Sequence, residues 1–134
     1  MIVLDSSFLI GFYNDRDAHH PKASSLMREF LDGRWGKGLL LEYVYLEVVT
    51  VLLVRADLAT AASVAGILLE SEELEFVPCS DFFADTVKSF TNQRKTKFSF
   101  TDSAIATVAA KRADGLVLTF DEEFRKVPTI RLAE

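Results

Sequence analysis

Gly38-Leu39-Leu40-Leu41-Glu42-Tyr43-Val44-Tyr45-Leu46-Glu47-Val48-Val49-Thr50-Val51-Leu52-Leu53-Val54-Arg55 passes from an unbroken apolar run into a long stretch of helical periodicity. The run Gly38 to Leu41 lacks the alternation of a strand with one wet face, so it reads as a strand buried on both sides. The helix predicted from about Glu42 to Arg55 makes it a strand–helix unit. Outward from this unit the same pattern repeats. Ile2-Val3-Leu4 is a first buried strand, and a short helix follows from about Ser7 to Tyr13. Pro21 is placed as the first residue of a helix that runs to about Leu31-Asp32 and stops at Gly33. A helix capped by Thr60 reaches about Ser71, and Glu75-Phe76-Val77 before Pro78 is a third strand. Ser80 or Asp81 caps a helix to about Phe90, and Thr101 caps another from Asp102 to Arg112. Leu116-Val117-Leu118 is a fourth strand and Ile130-Arg131-Leu132 a short fifth. Apolar strands alternating with helices predict a three-layer α/β/α sandwich with a central, mostly parallel sheet of four to five strands. In such folds ligands bind outside the carboxyl ends of the strands, near the point where strand order reverses.

Composition sets the outer limits. The chain has 134 residues, 49% hydrophobic and 26% charged, which predicts one domain over residues 1–134 and argues against disorder or coiled coil. Fifteen Lys and Arg against twenty Asp and Glu leave a net charge of −5, a poor basis for a large basic DNA-binding surface. Nucleic acid stays admissible if the carboxylates hold a cation. The one cysteine, Cys79, excludes an internal disulfide and a Cys-based zinc site and fits a reducing cytosol. Met1-Ile2-Val3-Leu4-Asp5 has no basic n-region, and no apolar run approaches the ~20 residues of a membrane span. A cytoplasmic protein without membrane contact is expected.

The acids fall where chemistry is expected. Asp5 follows the first strand, Asp121 comes just after the fourth, and Asp102 lies in the first turn of the helix that leads into the fourth. Asp102 aligns with Ile105, Ala106 and Ala109, the predicted inward side. A helix N-terminus alone would also favour an acid there, by about 0.3–1 kcal/mol. Glu47 stands among Val44, Val48, Val51 and Leu52, inside the apolar stripe of its helix. An unpaired buried carboxylate costs several kcal/mol or takes up a proton, so a partner cation or a wet cleft is required. Glu42 is the competing acid, turned to another side of that helix. Four carboxylates from separated segments repel one another, and a polyvalent cation makes their crowding tolerable. Oxygen ligands without thiolate or placed histidine suit Mg²⁺ or Mn²⁺.

Four segments together resemble a known family. They are the strand ending Asp5-Ser6-Ser7, the helix segment Tyr45-Leu46-Glu47-Val48-Val49-Thr50-Val51-Leu52-Leu53, Phe100-Thr101-Asp102-Ser103-Ala104-Ile105-Ala106, and Leu118-Thr119-Phe120-Asp121-Glu122-Glu123-Phe124. Their order and spacing resemble a PIN domain, and within that family a VapC-type toxin ribonuclease. The resemblance implies a metal-dependent endoribonuclease with Asp5, Glu47, Asp102 and Asp121 as its acids and Ser6 or Ser7 as an orienting hydroxyl. It also implies Mg²⁺ or Mn²⁺ as cofactor, an RNA substrate, a small VapB-type antitoxin as partner, and a homodimer formed around the Ala59–Ala65 region. A catalytically silent PIN domain acting as an RNA-binding or assembly module, or a housekeeping RNA-processing nuclease, is the alternative.

Weaker features remain. Arg94, Lys95 and Lys97 lie just upstream of Asp102, as a grip on RNA phosphates or as a solvated loop. His19 and His20 read as capping or exposed residues, Trp35 as a packed loop aromatic, and Cys79 as a small buried filler. Phe98 and Phe100 could sit near an antitoxin groove. A phosphatase built on Asp5 would want an acid at the position of Ser7, and no Gly-x-Gly-x-x-Gly follows a strand to bind a dinucleotide.

Overall fold

The computed structural model describes all 134 residues. The strands are β1 (Ile2–Leu4), β2 (Gly38–Leu41), β3 (Leu74–Val77), β4 (Leu116–Leu118) and β5 (Arg131–Leu132). The helices are α1 (Ser6–Tyr13), α2 (His20–Leu31), α3 (Glu42–Arg55), α4 (Leu58–Glu70), α5 (Phe83–Thr91) and α6 (Phe100–Arg112). The sheet has the order β3-β2-β1-β4-β5, and every pair is parallel. Right-handed crossovers fix the layers. The chain steps from β1 to β2 to β3 in one direction, so α1 to α4 form one layer, in which α1 packs on α2 and α3, and α3 on α4. It then doubles back across β1 to β4, which puts α5 and α6 together on the other side.

The unalternated strands behave as their composition requires. Ile2, Val3 and Leu4 of β1 and Leu39, Leu40 and Leu41 of β2 are all buried, each facing one helical layer or the other. Edge strand β3 is only partly covered, leaving Phe76 exposed. Gly115 makes the turn from α6 into β4 with φ of 79°, and a Cβ there would collide with the Thr129 carbonyl oxygen. Order reverses between β1 and β4, whose registers pair Val3 with Val117 and Leu4 with Leu118. Residues following these two strands therefore meet at one edge of the molecule. No helix is long and apolar enough to cross a membrane.

Helix starts depart from the sequence expectation in three places. Asp57, not Thr60, caps α4: its extended backbone lets Oδ1 accept the Thr60 N–H at 2.7 Å. Ser99, not Thr101, caps α6, its Oγ accepting the Asp102 N–H at 3.0 Å while Asp102 Oδ2 accepts the Ser99 N–H at 3.0 Å. This is a capping box, and its Ser-x-x-Asp spacing is legible in the sequence. Between Pro78 and α5 neither Ser80 nor Asp81 caps a helix; a 3₁₀ turn over Cys79–Phe82 intervenes, and α5 begins without a side-chain cap. A second 3₁₀ turn, Glu122–Lys126, follows β4. Ile130 lies just outside β5 but is buried.

Candidate active site

Asp5 is the N-cap of α1, placed by the step from β1 straight into a helix. Its Oδ1 accepts the Ser6 N–H at 2.7 Å, and its Oδ2 accepts the hydroxyls of Ser7 at 3.0 Å and Thr119 at 2.6 Å. Thr119 follows β4 directly, and its Oγ1 also accepts the Asp121 N–H at 2.9 Å. Ser7 Oγ in turn accepts the Phe120 N–H at 3.0 Å. These bonds tie the end of β1 to the end of β4 through hydroxyl groups. Asp121 caps the following 3₁₀ turn through Oδ1, which accepts the Glu123 N–H at 2.9 Å. Glu47 reaches the same place from α3, where its Oε1 accepts the Ser6 hydroxyl at 2.6 Å. Ser6 and Ser7 thus orient different partners: Ser6 joins the Asp5 surroundings to Glu47, and Ser7 joins them to the β4 end.

Asp5, Glu47, Asp102 and Asp121 line one cleft of about 540 Å³, together with Ser6, Ser7 and Ser99. The surroundings of Glu47 correct the reading of a buried carboxylate. Val44, Val48 and Leu52 are buried, but Glu47 itself is exposed on the border of that stripe and faces the wet cleft. Solvent there removes the need for a buried counterion. Glu42 lies outside the cleft and accepts the Cys79 N–H at 3.1 Å, tethering the start of α3 to the segment after β3. Cys79 is buried and its Sγ accepts the Tyr43 N–H at 3.3 Å.

Burial raises the Asp5 carboxyl above its ordinary range; hydrogen bonds from Thr119, Ser7 and Ser6 pull the other way, and the charge of Asp102 adds to the rise. Burial likewise raises Asp102, opposed by the two hydrogen bonds with Ser99 and reinforced by the charges of Asp121 and Glu47. The acids therefore sense one another across the cleft. Three of the four keep one carboxylate oxygen free of protein hydrogen bonds: Asp102 binds Ser99 through Oδ2, Asp121 binds Glu123 through Oδ1, and Glu47 binds Ser6 through Oε1, whereas both oxygens of Asp5 accept hydrogen bonds. As the side chains stand, no three of them converge tightly enough to enclose an ion. The donors are all oxygen, anionic and mutually repelling, which fits a hard divalent cation.

Arg55 at the end of α3, Asp17 from the loop before α2, and Ile10 carry no site signal in the sequence, yet with Val51 they line the wall. His19, read as capping or exposed, is exposed and lines the cleft too. His19 makes no capping hydrogen bond; its ring stacks on Phe120 at 4.4 Å and 6°. His20 Nδ1 lies 2.9 Å from the Gly11 carbonyl oxygen. Arg94, Lys95 and Lys97 are exposed and line no part of the cleft, although the Lys97 N–H donates to Glu123 at 2.7 Å. Trp35 is half-buried against the core, with the Arg34 guanidinium 4.8 Å over its ring.

Thr119 carries two demands at once, from Asp5 and from the Asp121 backbone. Thr119→Val keeps the shape of the buried side chain but leaves the Asp121 N–H unpaired and takes a donor from Asp5. A loss of about 1–3 kcal/mol in denaturant unfolding is expected, with activity falling roughly 10–100-fold as for other residues that orient site groups. Wild-type stability in this variant would show that the tie between the strand ends contributes nothing.

The chain belongs to the PIN domain family, whose model matches residues 2–130. It is 24% identical over 135 residues to a VapC ribonuclease of Archaeoglobus fulgidus, a match covering 96% of this chain and 81% of that relative. Its fold is similar to the crystal structure of VapC20 of Mycobacterium tuberculosis, a sarcin–ricin-loop-cleaving toxin, with a TM-score of 0.85, 21% identity and 97% of both chains covered. It is also similar to VapBC2 from Rickettsia felis, crystallised with a DNA fragment from their promoter, with a TM-score of 0.66, 17% identity, and 99% and 98% of the chains covered.

Proposed function

We propose that this PIN domain is a metal-dependent endoribonuclease and the toxin of a VapBC-type pair. The reading rests on Asp5, Glu47, Asp102 and Asp121, which come from four separate segments and line one cleft at the point where strand order reverses. The kinship with a VapC ribonuclease supports the substrate class and the antitoxin partner.

Asp5, Asp102 and Asp121 would hold one or two Mg²⁺ or Mn²⁺ ions, with Glu47 completing the set directly or through water. When bound, the ion would supply a hydroxide near neutral pH and offset charge on the phosphodiester being cut. Ser6, Ser7 and Thr119 fix the acids by hydrogen bonds, which limits the reorganisation left for the moment of reaction. Neither His19 nor His20 is needed as a base in this scheme.

Purified protein incubated with structured and unstructured RNA should cut internal bonds with Mg²⁺ or Mn²⁺ and stop when EDTA is added. Binding without cutting under every metal tested would favour a silent RNA-binding module. Cutting without growth arrest on expression would favour a housekeeping nuclease. Growth arrest should be relieved by a small protein encoded next to this one.

The two candidate acids on α3 separate cleanly. Glu47→Gln is expected to lower the rate at least about tenfold more than Glu42→Gln, because only Glu47 faces the cleft. Rates from the two variants under one metal concentration decide the matter, and the reverse order would remove Glu47 from the site.

A further inference from the structure

A polyanionic substrate has to be held beside five carboxylates, since Asp17 joins the four acids in the cleft wall. The basic loop containing Arg94, Lys95 and Lys97 is not there to do it. The arginine in the cleft wall is Arg55, and Arg55 also lines a second hollow of about 320 Å³ that includes Arg16 and Asn14. The two depressions therefore share a wall. Arg34, Arg112, Arg125 and Arg131 stand in ion pairs; Arg16, Arg28, Arg55 and Arg94 do not, and of these four only Arg16 and Arg55 line the two depressions. The second hollow carries two carboxylates, Asp15 and Asp57, and Asp57 is committed to the Thr60 N–H at 2.7 Å. Charge thus changes along the surface, from strongly acidic at the cleft to balanced where both arginines stand. An unpaired guanidinium fork matches a phosphate with two parallel hydrogen bonds.

We propose that the hollow bounded by Arg16 and Arg55 is a subsite for the nucleotide flanking the cut bond in single-stranded RNA, with Arg55 holding the phosphate between subsite and cleft. The proposal deepens the nuclease reading and rests on it. Arg55 acts here as a positioning residue: it binds the strand and leaves the chemistry to the acids.

The test uses the full chain made inactive by Asp121→Asn, with the affinity for short single-stranded RNA read by fluorescence anisotropy at several salt concentrations. Adding Arg55→Gln should weaken binding about tenfold and reduce the slope of log K against log salt by ~0.7, the single-strand value for one phosphate contact. Arg55→Lys should restore the slope. In the otherwise wild-type enzyme Arg55→Gln should raise KM and leave kcat near its original value, with an unchanged melting temperature. RNA longer by one nucleotide at one end should bind more tightly to the Asp121→Asn protein, and that gain should vanish in the same protein carrying Arg16→Gln and Arg55→Gln. Unchanged affinity and salt slope in Arg55→Gln, with the wild type still cutting RNA, would overturn the subsite and leave the nuclease reading standing. A wild-type protein that neither binds nor cuts RNA would overturn both.

Discussion

Asp5→Asn is expected to reduce RNA cleavage by about a hundredfold to a thousandfold while the protein stays folded. Asp5 is 4% exposed and is bonded to Ser6, Ser7 and Thr119, so no other acid can take its place. Deleting an outer residue that only orients a metal ligand costs roughly 10–100-fold, and loss of a group acting on the reacting centre itself costs more, on the order of 10²–10³ for a single donor. Asn preserves the side-chain volume and one oxygen for the Ser6 N–H. Its amide can donate to the hydroxyls of Ser7 and Thr119, which rotate to accept. Removing a burial-raised carboxyl also takes away a charge that the fold accommodates at a cost. Melting temperature without metal should therefore hold or rise. Circular dichroism paired with a cleavage assay checks both halves, and retained cleavage by folded Asp5→Asn would end the proposed mechanism.

Divalent metal should stabilise the protein strongly. Mn²⁺ at one hundred times its dissociation constant would add about 2.7 kcal/mol, provided it binds only the folded chain. Proton competition gives this gain a definite pH dependence. Asp5 and Asp102 have folded-state values above those of the unfolded chain, so without metal their contribution to stability increases as pH falls through the raised range and is complete below the ordinary carboxylate range. Metal binds the ionised forms, so its stabilising effect should be greatest near neutral pH and shrink through the same window. Thermal melts with and without Mn²⁺ from pH 4 to pH 8 measure it, the range being set by the ~3.9 of an unperturbed Asp and the upward shifts. Asp102→Asn should lose most of the metal-induced rise. A metal-induced rise that is flat across that range, or identical in Asp102→Asn, would place the ion elsewhere.

The fold was legible because apolar runs such as Leu39-Leu40-Leu41 have one comfortable environment, between two helical layers. Cap positions were harder to read, because Thr60 and Asp57, or Thr101 and Ser99, are equally competent oxygens a few residues apart. Backbone conformation decides between them, and Asp57 and Ser99 are the extended ones. The acids that follow strands could be named from position alone. Glu47 is legible from its spacing, but a carboxylate at the rim of an apolar stripe has the same spacing as one inside it, and of the two resolutions the wet cleft is the one the structure has. Arg55 carries no signal of its own, and Thr119 stands in a motif whose local pattern points to Asp121 and not to the hydroxyl. Arg55 reads as an ordinary basic residue ending a helix, and the role of Thr119 depends on β1 and β4 becoming neighbours, which no local pattern announces.

That adjacency has a bearing on the life of the chain before it is complete. Thr119 and Asp5 are 114 positions apart, and β4, with Asp121 beyond it, is the next-to-last strand. A nascent polypeptide still short of this segment has Asp5 but neither the neighbouring strand nor the hydroxyl that anchors it. Assembly of the cleft waits until β4 and Asp121 have been synthesised, so a product truncated before them carries the first acid without the company it needs.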